Sequence, residues 1–388
     1  MSVMSETIAL VNARVLAGES LRRDLAVLIE GDRIAALCPP QALPEDCPRR
    51  DLRDGILLPG FVDVQVNGGG GVLFNNAPTV DTLRTMAQAH RRFGTTGMLP
   101  TLISDDLDVM RAGIAAVRAA IAQGVPGILG IHLEGPYLAS ARKGTHDAAK
   151  FRVPDADEIA LASSLDNGVT MLTLAPECVP ETAIRAFVRR GVVVCAGHTA
   201  ADYAQTRTGL DAGVRGFTHL YNAMSPLQGR EPGVVGAALE DPRSWCGLIV
   251  DGHHVHAAAL RVALAAKPRG RCVLVTDAMP PVGGDPDYVL YGRTITARDG
   301  VLRNDEGALA GSVLDMAGAV RNSVAWLGVT IEEAARMAST YPAEWIGLGD
   351  TVGRIAPGYR ADFVLLDDGL RVIDTWIGGN ASDNGFAG

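Results

Sequence analysis

The run Val273-Leu274-Val275-Thr276-Asp277-Ala278-Met279 decides how the chain is read. Apolar and β-branched residues form a short buried strand that stops on an aspartate. Pro280-Pro281 and Gly283-Gly284 then forbid any regular continuation. A carboxylate at the mouth of a buried strand is costly to place unless something pairs with it. Other apolar runs end in the same way: Ile131-His132-Leu133-Glu134-Gly135-Pro136, Cys195-Ala196-Gly197-His198-Thr199 and Phe217-Thr218-His219-Leu220.

Outward from these runs the middle of the chain alternates. Eight apolar segments, 61–66, 95–103, 127–134, 169–176, 192–198, 215–220, 246–251 and 272–277, are separated by helical patterns. Those patterns are Thr79–Phe93, Asp105–Gln123, Asp155–Asn167, Pro180–Arg190, Asp202–Ala212 and Ala257–Ala266, several opening on Asp, Thr or Pro and closing at Gly. This alternation predicts an α/β fold, a (β/α)8 barrel over residues 58–349. Its weakest unit is 222–244, read as mostly loop. An open doubly wound sheet is the competing fold, disfavoured because no Gly-x-Gly-x-x-Gly opens a helix after the first strand. Both chain ends are β-rich, with Thr7–Val11, Asp24–Glu30, Arg33–Leu37, Gly358–Asp367 and Val372–Ile377 as strand patterns. Residues 1–57 and 350–388 are therefore expected to form one small β-sandwich domain. Tyr288–Tyr291, Thr294–Arg298 and Gly300–Arg303 predict a β excursion before helices at Ser312–Leu327 and Ile331–Ala338. No repeat or low-complexity segment is present.

Apolar residues make up 47% and charged residues 20% of the 388, enough for a large packed core. The net charge of −9, without any lysine or arginine block, argues against nucleic acid as a partner, although one pocket can still be locally basic. The six cysteines form no Cys-x-x-Cys pair and read as reduced core thiols of a cytoplasmic protein. The first residues do not resemble a secretory signal, and no apolar run approaches the ~20 residues that span a bilayer, so no membrane partner is expected.

Of the eight histidines only His90 lies in a helical pattern, where a surface role is expected. His132, His146, His198, His219, His253, His254 and His256 fall in or just after barrel strands, and the C-terminal strand ends of a barrel form its active-site face. Taken singly, each histidine reads as a hydrogen-bonded structural side chain. Together, Glu134, His198 and His219 supply one oxygen and two nitrogens, the donor set of a catalytic metal site with a position left for water. His132 faces the same side of its strand as Glu134 and is expected to orient it, with direct ligation as the alternative. Gln65 and Asn67 face the pocket from the first strand, but neutral amides are poor metal ligands, so one tight metal is expected rather than two. The Asp251–His256 cluster can also be read as a second metal site, a reading disfavoured because closely spaced histidines on one loop rarely converge without a carboxylate partner. Arg230, in a loop, reads by itself as an exposed turn residue. The Tyr137–Lys150 loop, with Arg142, Lys143 and His146, reads either as a lid over substrate or as a solvated basic loop.

Pro59–Gly68, His132–Pro136, Gly197-His198-Thr199, His219–Met224, Asp251–His254 and Thr276-Asp277-Ala278 together resemble the N-acetylglucosamine-6-phosphate deacetylase family of the amidohydrolase superfamily. The similarity runs from the N-terminal strands to about residue 375. The resemblance implies that Glu134, His198 and His219 bind one divalent metal, zinc first, with iron, manganese or cobalt also compatible. It further implies that Asp277 is the general acid/base and that His146 holds the acetyl carbonyl. Asn222, Ala223, Arg230 and His254 would bind the sugar phosphate, in a homodimer whose Arg230 reaches in from the partner. The family reaction is hydrolysis of the acetamide of N-acetylglucosamine 6-phosphate to glucosamine 6-phosphate and acetate. The rivals are another amidohydrolase (an N-acetylgalactosamine-6-phosphate deacetylase, a cyclic-amide hydrolase or a deaminase) and a non-catalytic assembly protein of the same fold. A first-strand His-x-His or a lysine ending the fourth strand would favour the cyclic-amide hydrolase or deaminase; the chain has Gln65-x-Asn67 and Pro176-Glu177 instead.

Overall fold

The structure, a computed structural model, describes residues 7–304 and 307–382. The expected sandwich ranges include 1–6 and 383–388, which lie outside the described residues.

Eight parallel strands, Phe61–Val66, Thr95–Ile103, Gly130–Glu134, Val169–Leu174, Val193–Ala196, Gly216–Phe217, Trp245–Leu248 and Cys272–Leu274, pair in that order around one sheet. The first and last strands meet just beyond the regular ladder. Val66 bridges Ala278, and the amides of Asp277 and Asn67 donate to the carbonyls of Gln65 and Ala278 at 3.0 and 2.9 Å. The barrel strands are buried on both faces because side chains fill the lumen and helices cover the outside.

Helices Val80–Arg91, Leu107–Ala122, Ala156–Ala162, Glu181–Arg189, Tyr203–Ala212 and Ala257–Ala266 lie where the apolar spacing places them. Asp155 with Glu158, and Asp202 with Gln205, form capping boxes. The loop reading of 222–244 is corrected by a helix at Gly233–Glu240, residues Gly-Val-Val-Gly-Ala-Ala-Leu-Glu. All but its last residue are buried, so it carries no polar stripe to give a helical period. The predicted helix at Ser312–Leu327 begins later: Ser312 closes a strand, Asp315 caps Met316–Asn322, and a π-helical turn follows over Ser323–Leu327. A further short helix, Thr340–Trp345, sets the Trp345 ring against Gly216, where any Cβ would lie 2.3 Å from the ring.

Both chain ends enter one eight-stranded sheet. Its path runs through Asn380–Ala381, Val372–Ile377, Phe363–Leu366, Arg49–Pro59, Thr7–Ala17, Ala26–Glu30 and Arg33–Cys38, with Ser20–Arg22 on the side. Arg49–Pro59 was not foreseen, because Arg-Arg-Asp-Leu-Arg-Asp hides its alternation. This strand and Phe363–Leu366 serve two cores at once. Ile56, Leu58, Val364 and Leu366 pack into the barrel core, while Leu57, Phe363 and Leu365 join Trp376 on the other face. Each large apolar side chain buried this way contributes roughly 1.5–3 kcal/mol.

The β excursion forms a four-stranded antiparallel sheet, Asp287–Leu290, Arg293–Arg298, Val301–Arg303 and Leu309–Ser312. It packs on Leu73, Ile103 and Met279 beside the barrel mouth.

Candidate metal centre and active site

Glu134 ends the third barrel strand, and His198 and His219 follow the fifth and sixth. The two histidines adopt left-handed backbone conformations, φ +47° and +35°, as does Asp277 at +52° after the eighth strand. A residue in that region turns the chain off the strand line at once, a strain borne only where surrounding bonds fix it. The turns bring distant side chains together. Glu134 Oε1 lies 3.1 Å from His198 Nε2 and 3.0 Å from His219 Nε2, and the two nitrogens are 3.1 Å apart.

This spacing fits a shared cation. A tetrahedral ion about 2.0–2.1 Å from each donor would hold neighbouring donors roughly 3.3 Å apart. His198 Nδ1 donates to the Arg142 carbonyl at 2.9 Å, so its Nε2 presents a lone pair to the centre. All three side chains are buried. Burial opposes ionisation of Glu134, but the hydrogen bonds and charge of His198 and His219 outweigh it and hold its pKa well below the ordinary value. Burial likewise presses His219 toward the neutral form, and Glu134 more than reverses this, raising its pKa.

Gln65 and Asn67 both reach Asp277. Gln65 Nε2 lies 3.3 Å from Glu134 Oε1 and 3.2 Å from Asp277 Oδ1, so one amide group spans the gap between the two carboxylates. Asn67 Nδ2 donates to the same Oδ1 at 2.6 Å. Burial and then the charge of Glu134 push the Asp277 carboxyl up to about 6, against the pull of His219, His254 and Asn67.

His146, from the Tyr137–Lys150 loop, packs its ring 4.4 Å from that of His198. Its Nδ1 accepts the Ser104 backbone N–H at 3.3 Å and lies 2.9 Å from the Ser104 hydroxyl. A backbone amide can only donate, so the ring proton sits on Nε2. Burial, then the neighbouring His198, drive the His146 pKa down to about 3. His146 is thus a neutral hydrogen-bond donor across the working pH range.

Two expectations about histidines are corrected. His132 does not orient Glu134, and it lies outside the cluster of possible metal donors. Its Nδ1 is 3.0 Å from the Val64 carbonyl and its Nε2 2.7 Å from the Thr173 hydroxyl, so both nitrogens tie strands together inside the lumen. His90 is not a surface residue. It is buried, with Nε2 2.8 Å from the Gly68 carbonyl, and it braces the loop after the first strand.

A cavity of about 470 Å³ opens over the centre. Asn222, Ala223 and His254 line it together with Asn67, His146 and Asp277. Arg142 and Lys143 form part of its wall, and Leu309 and Gly311 of the β excursion close another side. Arg230 is exposed and does not line the cavity of its own chain. The Asp251–His256 loop turns out to hold a single pair, His254 with Asp251. Burial acts against the Asp251 charge, yet His254 and two backbone N–H groups keep its carboxyl below the ordinary range.

Three positioning residues were missed. Asp63 lies buried beneath the centre, taking the Gln65 and Thr276 amides at 3.1 and 3.3 Å and the Thr276 hydroxyl at 2.5 Å. Ser104 sets the His146 tautomer, and Arg142 anchors His198 through its main chain. An acid in a strand whose only other polar residue is Gln65 was the available signal for Asp63; the other two act through backbone groups that residue types do not reveal.

A closed parallel barrel with two histidines, a glutamate and a buried aspartate at its C-terminal mouth defines a metal-dependent hydrolase. The chain belongs to the amidohydrolase family, whose model matches residues 56–382, while residues 8–57 match the NagA composite domain. It is 48% identical over 335 residues to an N-acetylgalactosamine-6-phosphate deacetylase of Shewanella sp. (strain ANA-3), covering 86% of this chain and 85% of that protein. It is 38% identical over 391 residues to the N-acetylglucosamine-6-phosphate deacetylase of Homo sapiens, covering 95% and 93%. The crystal structure of the N-acetylglucosamine-6-phosphate deacetylase from Pasteurella multocida superposes with a TM-score of 0.94 at 34% identity, over 97% of this chain and 99% of that one.

Proposed function

We propose that this chain hydrolyses the acetamide of an N-acetylhexosamine 6-phosphate, releasing acetate and the amino-sugar phosphate. The observation that carries this reading is the amide of Gln65, which touches both a ligand of the candidate metal centre, Glu134, and the proton carrier, Asp277.

A divalent cation held by Glu134, His198 and His219 would supply a Lewis acid and an acidified water, which an unreactive amide requires at neutral pH. Zinc suits the donor set first, with iron, manganese or cobalt as alternatives. Asp277 takes a proton as water attacks and returns one to the departing amine. Asn67 and Gln65 occupy its Oδ1, which leaves Oδ2 to carry the proton. His146 donates Nε2–H to the acetyl oxygen as negative charge develops there, worth about 3–4 kcal/mol per donor in comparable sites. Asn222, Ala223 and His254 receive the sugar phosphate. Arg230, outside its own cavity, serves the site of a partner subunit in a homodimer, its planar fork suited to phosphate. Six unpaired cysteines support a cytoplasmic location; among the described residues no helix is long and apolar enough to cross a membrane.

The epimer at C4 is open to a second reading. The higher identity to the Shewanella relative favours N-acetylgalactosamine 6-phosphate over the gluco sugar. Acetate release is measured with both sugars, with and without the 6-phosphate, after each metal is restored to chelated protein. Turnover of a phosphorylated sugar is expected, and the kcat/KM ratio assigns the epimer. No release from any of them, with metal bound, overturns the proposal.

A further inference from the structure

The loop after the seventh barrel strand carries a histidine–carboxylate pair whose histidine, His254, lines the same cavity. His254 Nδ1 lies 2.5 Å from Asp251 Oδ2. The other oxygen, Oδ1, accepts the backbone N–H groups of His253 and His254 at 2.8 and 2.9 Å. Both carboxylate oxygens are therefore fixed, and the His254 and Asp251 side chains are only 5% and 9% exposed. An ionised carboxylate can only accept, so the bridging proton sits on Nδ1 of His254. The remaining ring nitrogen, Nε2, is buried and has no partner among the described residues.

In a neutral ring of that tautomer Nε2 is a lone pair. A phosphate dianion offers only acceptor oxygens, so a lone pair facing it is repelled, whereas an N–H is drawn to it. Protonating Nε2 makes an imidazolium between two anions, an arrangement favoured at a site where a second negative charge has just arrived. Of the other groups near His254, Asp277 across the cavity is already engaged by Asn67 and Gln65, and His253 is exposed. The π-helical turn Ser323–Leu327 packs on Gly252 through Trp326 and brings no titratable side chain. Arg261 is turned to the Trp326 carbonyl.

We propose that Asp251 is a positioning residue that makes His254 a proton-accepting anion receptor: by holding Nδ1–H it leaves Nε2 to take a proton from solution when the phosphate group of the substrate binds. This rests on the reading of His254 as a phosphate ligand given above. One proton is consumed per phosphorylated ligand bound and none for the unphosphorylated sugar.

Hydrolysis of the phosphosugar by the wild-type zinc enzyme is measured first; its absence overturns the functional reading and this proposal with it. Where turnover is present, the holoenzyme is titrated calorimetrically with glucosamine 6-phosphate and with glucosamine. Two buffers of different ionisation heat are used at about pH 8, where a phosphomonoester is a dianion. Uptake close to one proton is expected for the phosphorylated ligand alone. In Asp251→Asn the uptake falls and KM for the phosphosugar rises about tenfold or more, with kcat changed little. His254→Gln, which keeps a hydrogen-bonding side chain without a titratable ring, abolishes the uptake and gives a second variant should Asp251→Asn not fold. A merely structural role for Asp251 would raise KM for phosphorylated and unphosphorylated sugars alike and leave the uptake intact. Either that pattern or the absence of uptake by an active wild type overturns the assignment.

Discussion

Asp277 holds a left-handed backbone at φ +52° while its Oδ1 takes donors from Asn67 and Gln65. Its carboxylate is thus fixed in direction and free in one oxygen, as a proton shuttle needs to be. Asp277→Asn is expected to lower kcat by about 10²–10⁴-fold, the usual scale of positioned proton transfer, with bound metal unchanged by elemental analysis. Wild-type-like turnover would remove Asp277 from the chemistry. The pH profile carries its own signature. The carboxyl must be ionised to accept a proton, and burial with Glu134 holds its pKa up at about 6. The rate therefore falls tenfold per unit on the acid side, with a midpoint at or below that value because a bound cation favours the ionised form. His146, driven down to about 3, contributes no limb above that. An acid limb that persists in Asp277→Asn would belong to another group.

At the scale of elements, the closure between the first and last barrel strands depends on Asp63. It has no cationic partner among the described residues, and burial pushes its pKa up to about 7 against three hydrogen bonds. In the unfolded chain an aspartate titrates near 3.9, so from about pH 4 to 7 the folded state holds the extra proton. Its contribution is greatest below the lower value and is lost as pH rises through the upper one, by up to about 4 kcal/mol. Asp63→Asn removes this dependence. Thermal unfolding across that window should show the wild type losing stability relative to the variant, and parallel curves would exclude an ionising Asp63. The Tyr137–Lys150 loop makes a second element-scale test. Gly144 has φ +58°, and an added Cβ would lie 3.2 Å from His198 Cε1. Gly144→Ala should weaken metal affinity by roughly 10–100-fold through displacement of His198, measured by competition with a chelator. Elements whose neighbours impose a period were legible in the sequence. The Gly233–Glu240 helix was not, since burial of nearly every residue erases the polar face that marks a helix.

At the scale of the molecule, the site draws on strand ends separated along the chain by up to 212 residues, as the Gln65–Asp277 hydrogen bond shows. Arg230 stands apart, exposed on the loop after the sixth strand. If it serves a neighbouring subunit, two inactive variants should complement each other. Mixing Arg230→Ala with Asp277→Asn gives hybrid dimers in which one site keeps its own Asp277 and receives an intact Arg230 from the other chain. After subunit exchange about a quarter of wild-type activity should return, because half the dimers are mixed and one site in each is whole. Complete failure of complementation, with dimers verified by light scattering, would place Arg230 in its own site or in none.

What the sequence determined by itself was the alternation of apolar runs with helical patterns, the β character of both ends, and the acids and imidazoles standing where strands stop. These are local properties, written in residue period and in Pro and Gly punctuation. Tertiary structure alone decided that three donor atoms lie about 3 Å apart, that His132 spends both nitrogens on a carbonyl and a hydroxyl, that His90 gives its Nε2 to a backbone carbonyl, and that Asp251 claims one side of His254. A period reports which face of an element is covered, but not which atom lies opposite. That partner is set by closure of the barrel and by the turns after each strand, which no single segment encodes.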